Sequence, residues 1–131
     1  MKKFLFTIVA TFLCAITSLA AGKPGMEFKV TSHDFGYIDE YGGNVSYEFE
    51  FTNTGDKPLM IISARANCGC TRPEFSKRPI VPGGKSSIKV TYVPKGRPGI
   101  FTKGVTVKTN IGVKHLVVKG VVVPKKQEEK Q

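Results

Sequence analysis

The chain has 131 residues, of which 40% are apolar and 23% are charged, an ordinary composition for a single globular domain. Its 14 glycines and 8 prolines occur without a long helical pattern, and this favours an all-β class. The composition therefore argues against a helical bundle, and the sequence contains no internal repeat and no second domain.

Residues 1–20 have the features of a secretory signal peptide. A short basic start precedes an almost unbroken apolar run over residues 4–16, and small residues at the end of the segment predict cleavage after Ala20. The run is short for a membrane span, so we expect no transmembrane segment after cleavage. The residues before Cys14 fit a lipobox poorly, and lipidation is not expected. We predict an exported protein, periplasmic or extracellular.

The formal net charge is +10, and removal of Lys2 and Lys3 with the signal peptide leaves about +8. An exported protein seldom meets nucleic acid, so we expect no nucleic-acid partner. Acidic partners in the envelope fit this charge better: an acidic protein, a polysaccharide or an anionic lipid surface. A basic surface that serves only solubility is the simpler interpretation of the same charge.

Apolar and polar residues alternate at period two along most of the mature chain, which predicts β-strands. The clearest strand begins at Val45, with an aromatic face for the core and an acidic face for water. Three prolines and two glycines between Thr71 and Gly84 predict a loop there. The predicted strands cover residues 26–32, 45–52, 59–64, 87–93, 102–109 and 113–123.

These segments predict an all-β fold, an antiparallel immunoglobulin-like β-sandwich of about seven strands, over residues 21–123. Residues 124–131 are polar and charged, and we expect them to form a flexible tail. The order of the strands stays open, because neighbouring hairpins and a Greek key both fit the sequence.

Cys68 and Cys70 are the two cysteines expected in the mature protein. The predicted strands 45–52 and 102–109 contain no cysteine, so this pair cannot form the disulfide that joins the two sheets of an antibody domain. The two residues must therefore bond to each other, bind a ligand or remain thiols, and export permits a disulfide.

A bond between Cys68 and Cys70 requires a bend in the chain. Residues i and i+2 of an extended strand lie about 6.6 Å apart, near the upper limit for a disulfide. Gly69 can adopt backbone angles closed to other residues and would supply the bend. The resulting ring would be small and strained, and strained disulfides are easily reduced.

The simplest interpretation is a local disulfide, or two half-buried thiols, that stabilises the bend together with Asn67, Gly69 and Thr71. A redox-active pair is the first alternative, because Arg65 and Arg72 flank the motif and a nearby cation favours the thiolate. The thioredoxin motif is Cys-x-x-Cys at the start of a helix, and this Cys-x-Cys segment matches it only weakly.

A soft-metal site is the second alternative, since two thiolates one residue apart can bind Cu(I) or Zn(II). A tetrahedral zinc site needs four ligands, and His33 and His115 are the candidates to complete it. A lone histidine in such a domain is more often a surface residue. We therefore predict no metal site and no cofactor.

Basic residues also occur in the predicted loops and turns. If they converge, they form a patch for an anionic glycan or lipid, although a solvated rim is the more common outcome. No catalytic motif and no carboxylate or histidine in catalytic spacing accompanies them, so we expect no enzyme. The candidate patch consists of Lys77, Arg78, Lys95, Arg97 and Lys103.

Five segments, in this order and spacing, resemble one known family: residues 49–59, 67–71, 81–84, 88–92 and 95–99. They include Asn53-Thr54-Gly55 and Cys68-Gly69-Cys70, and the resemblance extends over roughly residues 28–122. The family is the domain-of-unknown-function family fifteen-seventy-three, exported immunoglobulin-like domains of Gram-negative bacteria. More distantly the chain is similar to PapD-like and major-sperm-protein modules.

The resemblance implies a sandwich fold and a location in the cell envelope, but no activity. A PapD-type chaperone works through two domains and the cleft between them, so that role does not transfer to one domain. The sequence therefore predicts a non-catalytic exported module that binds an envelope protein or has a structural role. One route for such binding is addition of a partner strand to an exposed sheet edge.

Overall fold

A computed structural model describes residues 25–124 of the chain. The predicted signal peptide and residues 125–131 of the predicted tail lie outside this range. Within it the chain forms no helix, and so no helix that could cross a membrane. The eight strands are β1 (Glu27–Phe28), β2 (Ser32–Asp39), β3 (Val45–Thr52), β4 (Ile61–Ala66), β5 (Thr71–Phe75), β6 (Lys85–Tyr92), β7 (Gly99–Thr109) and β8 (Gly112–Val123).

The strands form two four-stranded sheets packed as a sandwich. The first sheet has the order β1-β3-β6-β5, and the second has the order β2-β8-β7-β4. All pairs are antiparallel except β2 and β8, which run parallel. The predicted all-β, immunoglobulin-like class is confirmed, with eight strands instead of about seven.

The predicted first strand, residues 26–32, is wrong in its extent because the chain changes sheets within it. Phe28 of β1 pairs with Phe51 in the first sheet, whereas His33 of β2 pairs with Val118 in the second. The backbone N–H of Lys29 still bonds to the first sheet, and the carbonyl of Thr31 already bonds to the second. Period-two alternation is the same on both sheets, so the sequence carries no signal for this change of partner.

The predicted loop over residues 71–84 is also wrong in part, since it contains β5. Thr71 pairs with Tyr92 and Phe75 with Ile88 across the ladder between β5 and β6. β5 includes Pro73, a residue that a central strand excludes because it lacks the N–H for a ladder bond. At the edge of a sheet one side of the strand has no partner, so the proline is tolerated.

The core follows the alternation that the sequence shows. Inward side chains of β3, β6, β7 and β8 are buried together, while the residues between them are exposed. A second, smaller cluster at one end of the sandwich contains Cys70, Tyr92, Phe101 and Val122. The main cluster includes Phe49, Phe51, Ile88, Val90, Val105, Val107, Leu116 and Val118.

Asn53 fixes the turn after β3 and is fully buried. Its side-chain amide donates to the carbonyls of Lys57 (2.7 Å) and Ile80 (2.8 Å), and its Oδ1 accepts from the N–H groups of Gly25 (3.3 Å) and Gly55 (3.0 Å). Both donors and both acceptor positions of the amide are therefore used. This one side chain ties three separate parts of the chain to the end of β3.

Candidate functional site

The cysteine motif lies where the chain passes from one sheet to the other. β4 is an edge strand of the second sheet, β5 is an edge strand of the first, and the two pack against each other. Residues 67–70 connect them, and we call this segment the crossover. Cys68 and Cys70 form a disulfide within it.

The crossover bends without the special backbone freedom of glycine. The Cα atoms of Cys68 and Cys70 are 5.1 Å apart, against about 6.6 Å in an extended strand. Gly69 is not among the glycines with positive φ, and a Cβ built on it would meet no atom within 4 Å. The expectation that Gly69 bends the pair through glycine-only angles is therefore wrong. A hydrogen bond from the N–H of Thr71 to the carbonyl of Cys68 (3.1 Å) closes the turn instead.

The two sulfur atoms have different surroundings. Cys70 is 1% exposed and packs in the small cluster with Tyr92 and Phe101, whereas Cys68 is half-buried at the surface. The backbone N–H of Cys70 donates to Sγ of Cys68 (3.1 Å), and Sγ of Cys70 lies 3.5 Å from Oγ1 of Thr71. A reagent in solvent therefore meets Cys68 first.

An open depression of about 430 Å³ lies over the crossover. It brings together six of the residues singled out in the sequence: Arg65, Asn67, Cys68, Gly69, Thr71 and Arg72. Ala64, Ala66 and Pro73 complete the lining, so the depression holds two cations and no carboxylate. Its small side chains leave the backbone open to close approach. We call this feature the crossover depression.

The candidate basic patch does not form one surface. Lys77 and Arg78 lie between β5 and β6, and Lys95 and Arg97 lie between β6 and β7. These two connections are at opposite ends of β6, whose eight residues span roughly 27 Å at about 3.4 Å per residue. The cations of the two connections are therefore too far apart to hold one small anion.

Lys103, the fifth candidate, lies on the inward side of β7. It is half-buried between Phe101 and Val105, which are both buried. The ladder between β4 and β7 ends at the pair Ala66–Val105, so the next inward residue of β7 lies beside the crossover. Lys103 is therefore half-buried on the inward side of β7, apart from the exposed cations of the two loops. In the sequence, the indication of this placement is a lysine at a position where the alternation of β7 otherwise puts apolar residues.

The buried cluster around Cys70 contains an aromatic pair that the sequence did not indicate. Tyr92 of β6 and Phe101 of β7 stack with centroids 3.8 Å apart and planes 8° from parallel. Burial raises the pKa of the Tyr92 phenol above its ordinary value, and the positive charge of Arg97 offsets part of that rise. The phenol therefore stays neutral over the physiological pH range.

The two histidines considered for a metal lie elsewhere. His33 stacks on Tyr47 with ring centroids 3.8 Å apart, and His115 is exposed on the outer face of β8. Between residues 25 and 124, no three His, Cys, Asp or Glu side chains are grouped so that they could hold a metal ion.

Several solved structures share this fold. A protein of unknown function from Porphyromonas gingivalis W83 matches with TM-score 0.66 and 18% identity, over 76% of this chain and 47% of that one. The secreted serine protease VesC from Vibrio cholerae matches with TM-score 0.56 and 12% identity, over 75% and 23%. The CupB2 chaperone from Pseudomonas aeruginosa matches with TM-score 0.52 and 10% identity, over 73% and 55%.

At these identities the structural likeness shows the fold alone. The chain also spans less than half of the length of the first two of these structures. No curated protein matches its sequence. The family model described as "Protein of unknown function (DUF1573)" matches residues 26–122, nearly all of the part that the structure describes. The chain therefore belongs to the DUF1573 family.

Proposed function

We propose that this chain is a non-catalytic, exported immunoglobulin-like module that binds an acidic segment of an envelope protein in the crossover depression. One observation carries the proposal: the depression joins two sheet edges, and its lining has two exposed arginines and no carboxylate. A surface of this kind suits an extended acidic segment better than a neutral one.

The backbone around the depression supports strand addition as the binding mode. β4 is an edge strand, so one side of it has no partner strand in the sandwich. Ala64 and Ala66 have short side chains, which lets a partner backbone approach β4 closely. Main-chain hydrogen bonds would then supply affinity, and Arg65 and Arg72 would select for carboxylates.

The alternative of an anionic glycan or lipid bound by basic loops has less support. It requires the loop cations to converge, and the length of β6 separates Lys77 and Arg78 from Lys95 and Arg97. Separated lysines and arginines still attract an anionic surface, but only through weak attraction that salt screens.

The proposal is tested with a photo-crosslinking residue at Asn67, which is exposed in the depression. Cells expressing this protein are irradiated, and the captured envelope protein is identified by mass spectrometry. The same capture is then repeated in the double variant Arg65→Glu/Arg72→Glu and in the control Lys77→Glu/Arg78→Glu, which changes the net charge equally. We expect capture to fall about tenfold or more in the first variant and to persist in the control.

One outcome of the capture experiment would contradict the proposal. Equal capture in the two double variants would show that the depression does not select the partner. Purified partner and module are then titrated at increasing salt, and binding that ignores salt would remove the electrostatic part of the proposal.

A further inference from the structure

We propose that the Cys68–Cys70 disulfide is a thiol–disulfide exchange site for a cysteine-bearing protein, with Cys68 as the attacked sulfur and Cys70 as the resolving thiol. The proposal stands on the different surroundings of the two sulfurs and does not depend on partner binding through the arginines. Its substrate class is a protein with one or two accessible thiols in the exported compartment.

Access decides which sulfur is attacked. A thiolate must reach the sulfur it attacks, and exchange rates depend on that access. Sγ of Cys68 belongs to a half-buried residue that lines the open depression, whereas Cys70 is 1% exposed behind it. The stacked rings of Tyr92 and Phe101 belong to the cluster that covers Cys70. The incoming thiolate therefore bonds to Cys68.

The exchange step balances without a further reagent. The partner thiolate bonds to Sγ of Cys68, the bond between Cys68 and Cys70 breaks, and its electron pair leaves on Sγ of Cys70. Oγ1 of Thr71 lies 3.5 Å from this sulfur and can donate a hydrogen bond to it as the negative charge develops. The Cys70 thiolate then takes a proton from solvent.

Two outcomes follow from the mixed disulfide. Cys70 can attack Cys68 again, which restores the ring and releases the partner thiolate unchanged. A second thiol of the partner can instead attack its own mixed-disulfide sulfur. The partner then leaves with a new disulfide, oxidised by two electrons, and Cys68 and Cys70 remain as two thiols.

The groups around the disulfide also differ between its two sulfurs. The N–H of Cys70 donates to Sγ of Cys68 at 3.1 Å, and Arg65 and Arg72 line the same depression. Hydrogen bonds and nearby cations favour a thiolate, whereas apolar burial disfavours it. These surroundings favour Cys68 as the nucleophile of the reduced form and Cys70 as the thiol that closes the ring.

The ring itself allows exchange without loss of the fold. It encloses three residues, so it restricts the unfolded chain much less than a bond that closes a long loop. The crossover is also held by the hydrogen bond from the N–H of Val93 to the carbonyl of Cys70 (2.8 Å). Opening the ring therefore leaves β4 and β5 attached to the sandwich.

The test uses the single variants Cys70→Ser and Cys68→Ser of the chain from residue 21, each of which loses one sulfur. Both are treated with oxidised glutathione at neutral pH, quenched with acid and examined by mass spectrometry over time. We expect the Cys70→Ser variant, through Cys68, to form the glutathione adduct at least tenfold faster than the Cys68→Ser variant. We expect the glutathione adduct of the Cys70→Ser variant to persist, because the resolving thiol of Cys70 is absent.

A second measurement uses the unmodified sequence, so that misfolding of a variant cannot decide the result. The oxidised protein is mixed with excess reduced glutathione, quenched within seconds, and its mixed disulfide is located by peptide mapping. Glutathione on Cys68 and a free thiol on Cys70 are expected. Glutathione mainly on Cys70, or equal rates in the two variants, would overturn the assignment. A disulfide that millimolar glutathione leaves intact for hours would overturn the exchange function itself.

Discussion

Tyr92 of the first sheet stacks on Phe101 of the second, with ring centroids 3.8 Å apart, and the pair packs against Cys70. The stack joins the two sheets at the end of the sandwich where the crossover also joins them. The packing of this end and the burial of the inner sulfur therefore depend on the same two rings.

Replacing Tyr92 with alanine should destabilise the protein strongly. The change removes a side chain that is 1% exposed and leaves a cavity beside Cys70 and Phe101, so we expect a loss of about 3–5 kcal/mol in the free energy of unfolding. Urea titration followed by circular dichroism measures this loss. Tyr92→Phe keeps the ring and is the control; an equal loss in both variants would show that the stack is not the cause.

Tyr92→Phe has its own expected effect at alkaline pH. The folded protein raises the pKa of the Tyr92 phenol, so it holds this proton more tightly than the unfolded chain does. The stability contribution is complete below the unfolded pKa of about 10 and is lost as the pH rises through the folded value. The phenylalanine variant should therefore lose less stability than the parent protein between pH 9 and 11.5. Parallel pH curves from urea titrations would contradict this.

Asn53→Ala should be among the most damaging changes in the chain. The variant leaves two carbonyls, those of Lys57 and Ile80, without their donors, and two N–H groups without their acceptor. At about 1 kcal/mol or more for each unsatisfied group, we expect a loss of roughly 3–5 kcal/mol. Thermal and urea unfolding measure it, and Thr54→Ala, next in the chain and exposed, is the control. A loss below about 1 kcal/mol would mean that water replaces the amide fully.

Reduction of the disulfide should cost the fold little. A closed loop of three residues corresponds to about 1.6 kcal/mol in the chain-entropy relation, against about 3 kcal/mol for fifteen residues. The free energy of unfolding of the oxidised and reduced protein is compared by urea titration with and without a phosphine reductant. A loss well above 3 kcal/mol would favour the structural lock that the sequence first suggested.

Charge in the crossover depression should affect anionic thiols selectively. Glutathione carries extra negative charge, and 2-mercaptoethanol does not, so Arg65→Gln/Arg72→Gln should slow reduction by glutathione roughly threefold to tenfold more than reduction by 2-mercaptoethanol. Reduction assays quenched at set times at low salt measure the ratio between the slowing with glutathione and the slowing with 2-mercaptoethanol. Added salt should reduce this ratio. Lys77→Gln/Arg78→Gln is the matched control. An unchanged ratio in the arginine variant would show that these side chains do not steer the incoming thiol.

Much of the fold was predictable because side-chain burial on a strand follows a local pattern. The inward face of β3 was predicted correctly from alternation alone, since every second residue of a half-buried strand must be apolar. The sheet change between β1 and β2 and the edge strand β5 were not predictable in the same way. Both depend on which distant strand supplies hydrogen bonds, and Pro73 in particular is typical of a loop until its edge position is known.

The same distinction between local sequence pattern and distant contacts applies to the candidate site. The sequence alone determined that Cys68 and Cys70 are the two cysteines of residues 25–124, one residue apart, and it left three possibilities for them: a bond to each other, a bound ligand or two thiols. Only the tertiary structure decided that one sulfur is buried under Tyr92 and Phe101 while the other lines a depression with Arg65 and Arg72. That difference arises from two sheet edges meeting at the crossover, and it involves residues up to thirty-six positions apart in the chain.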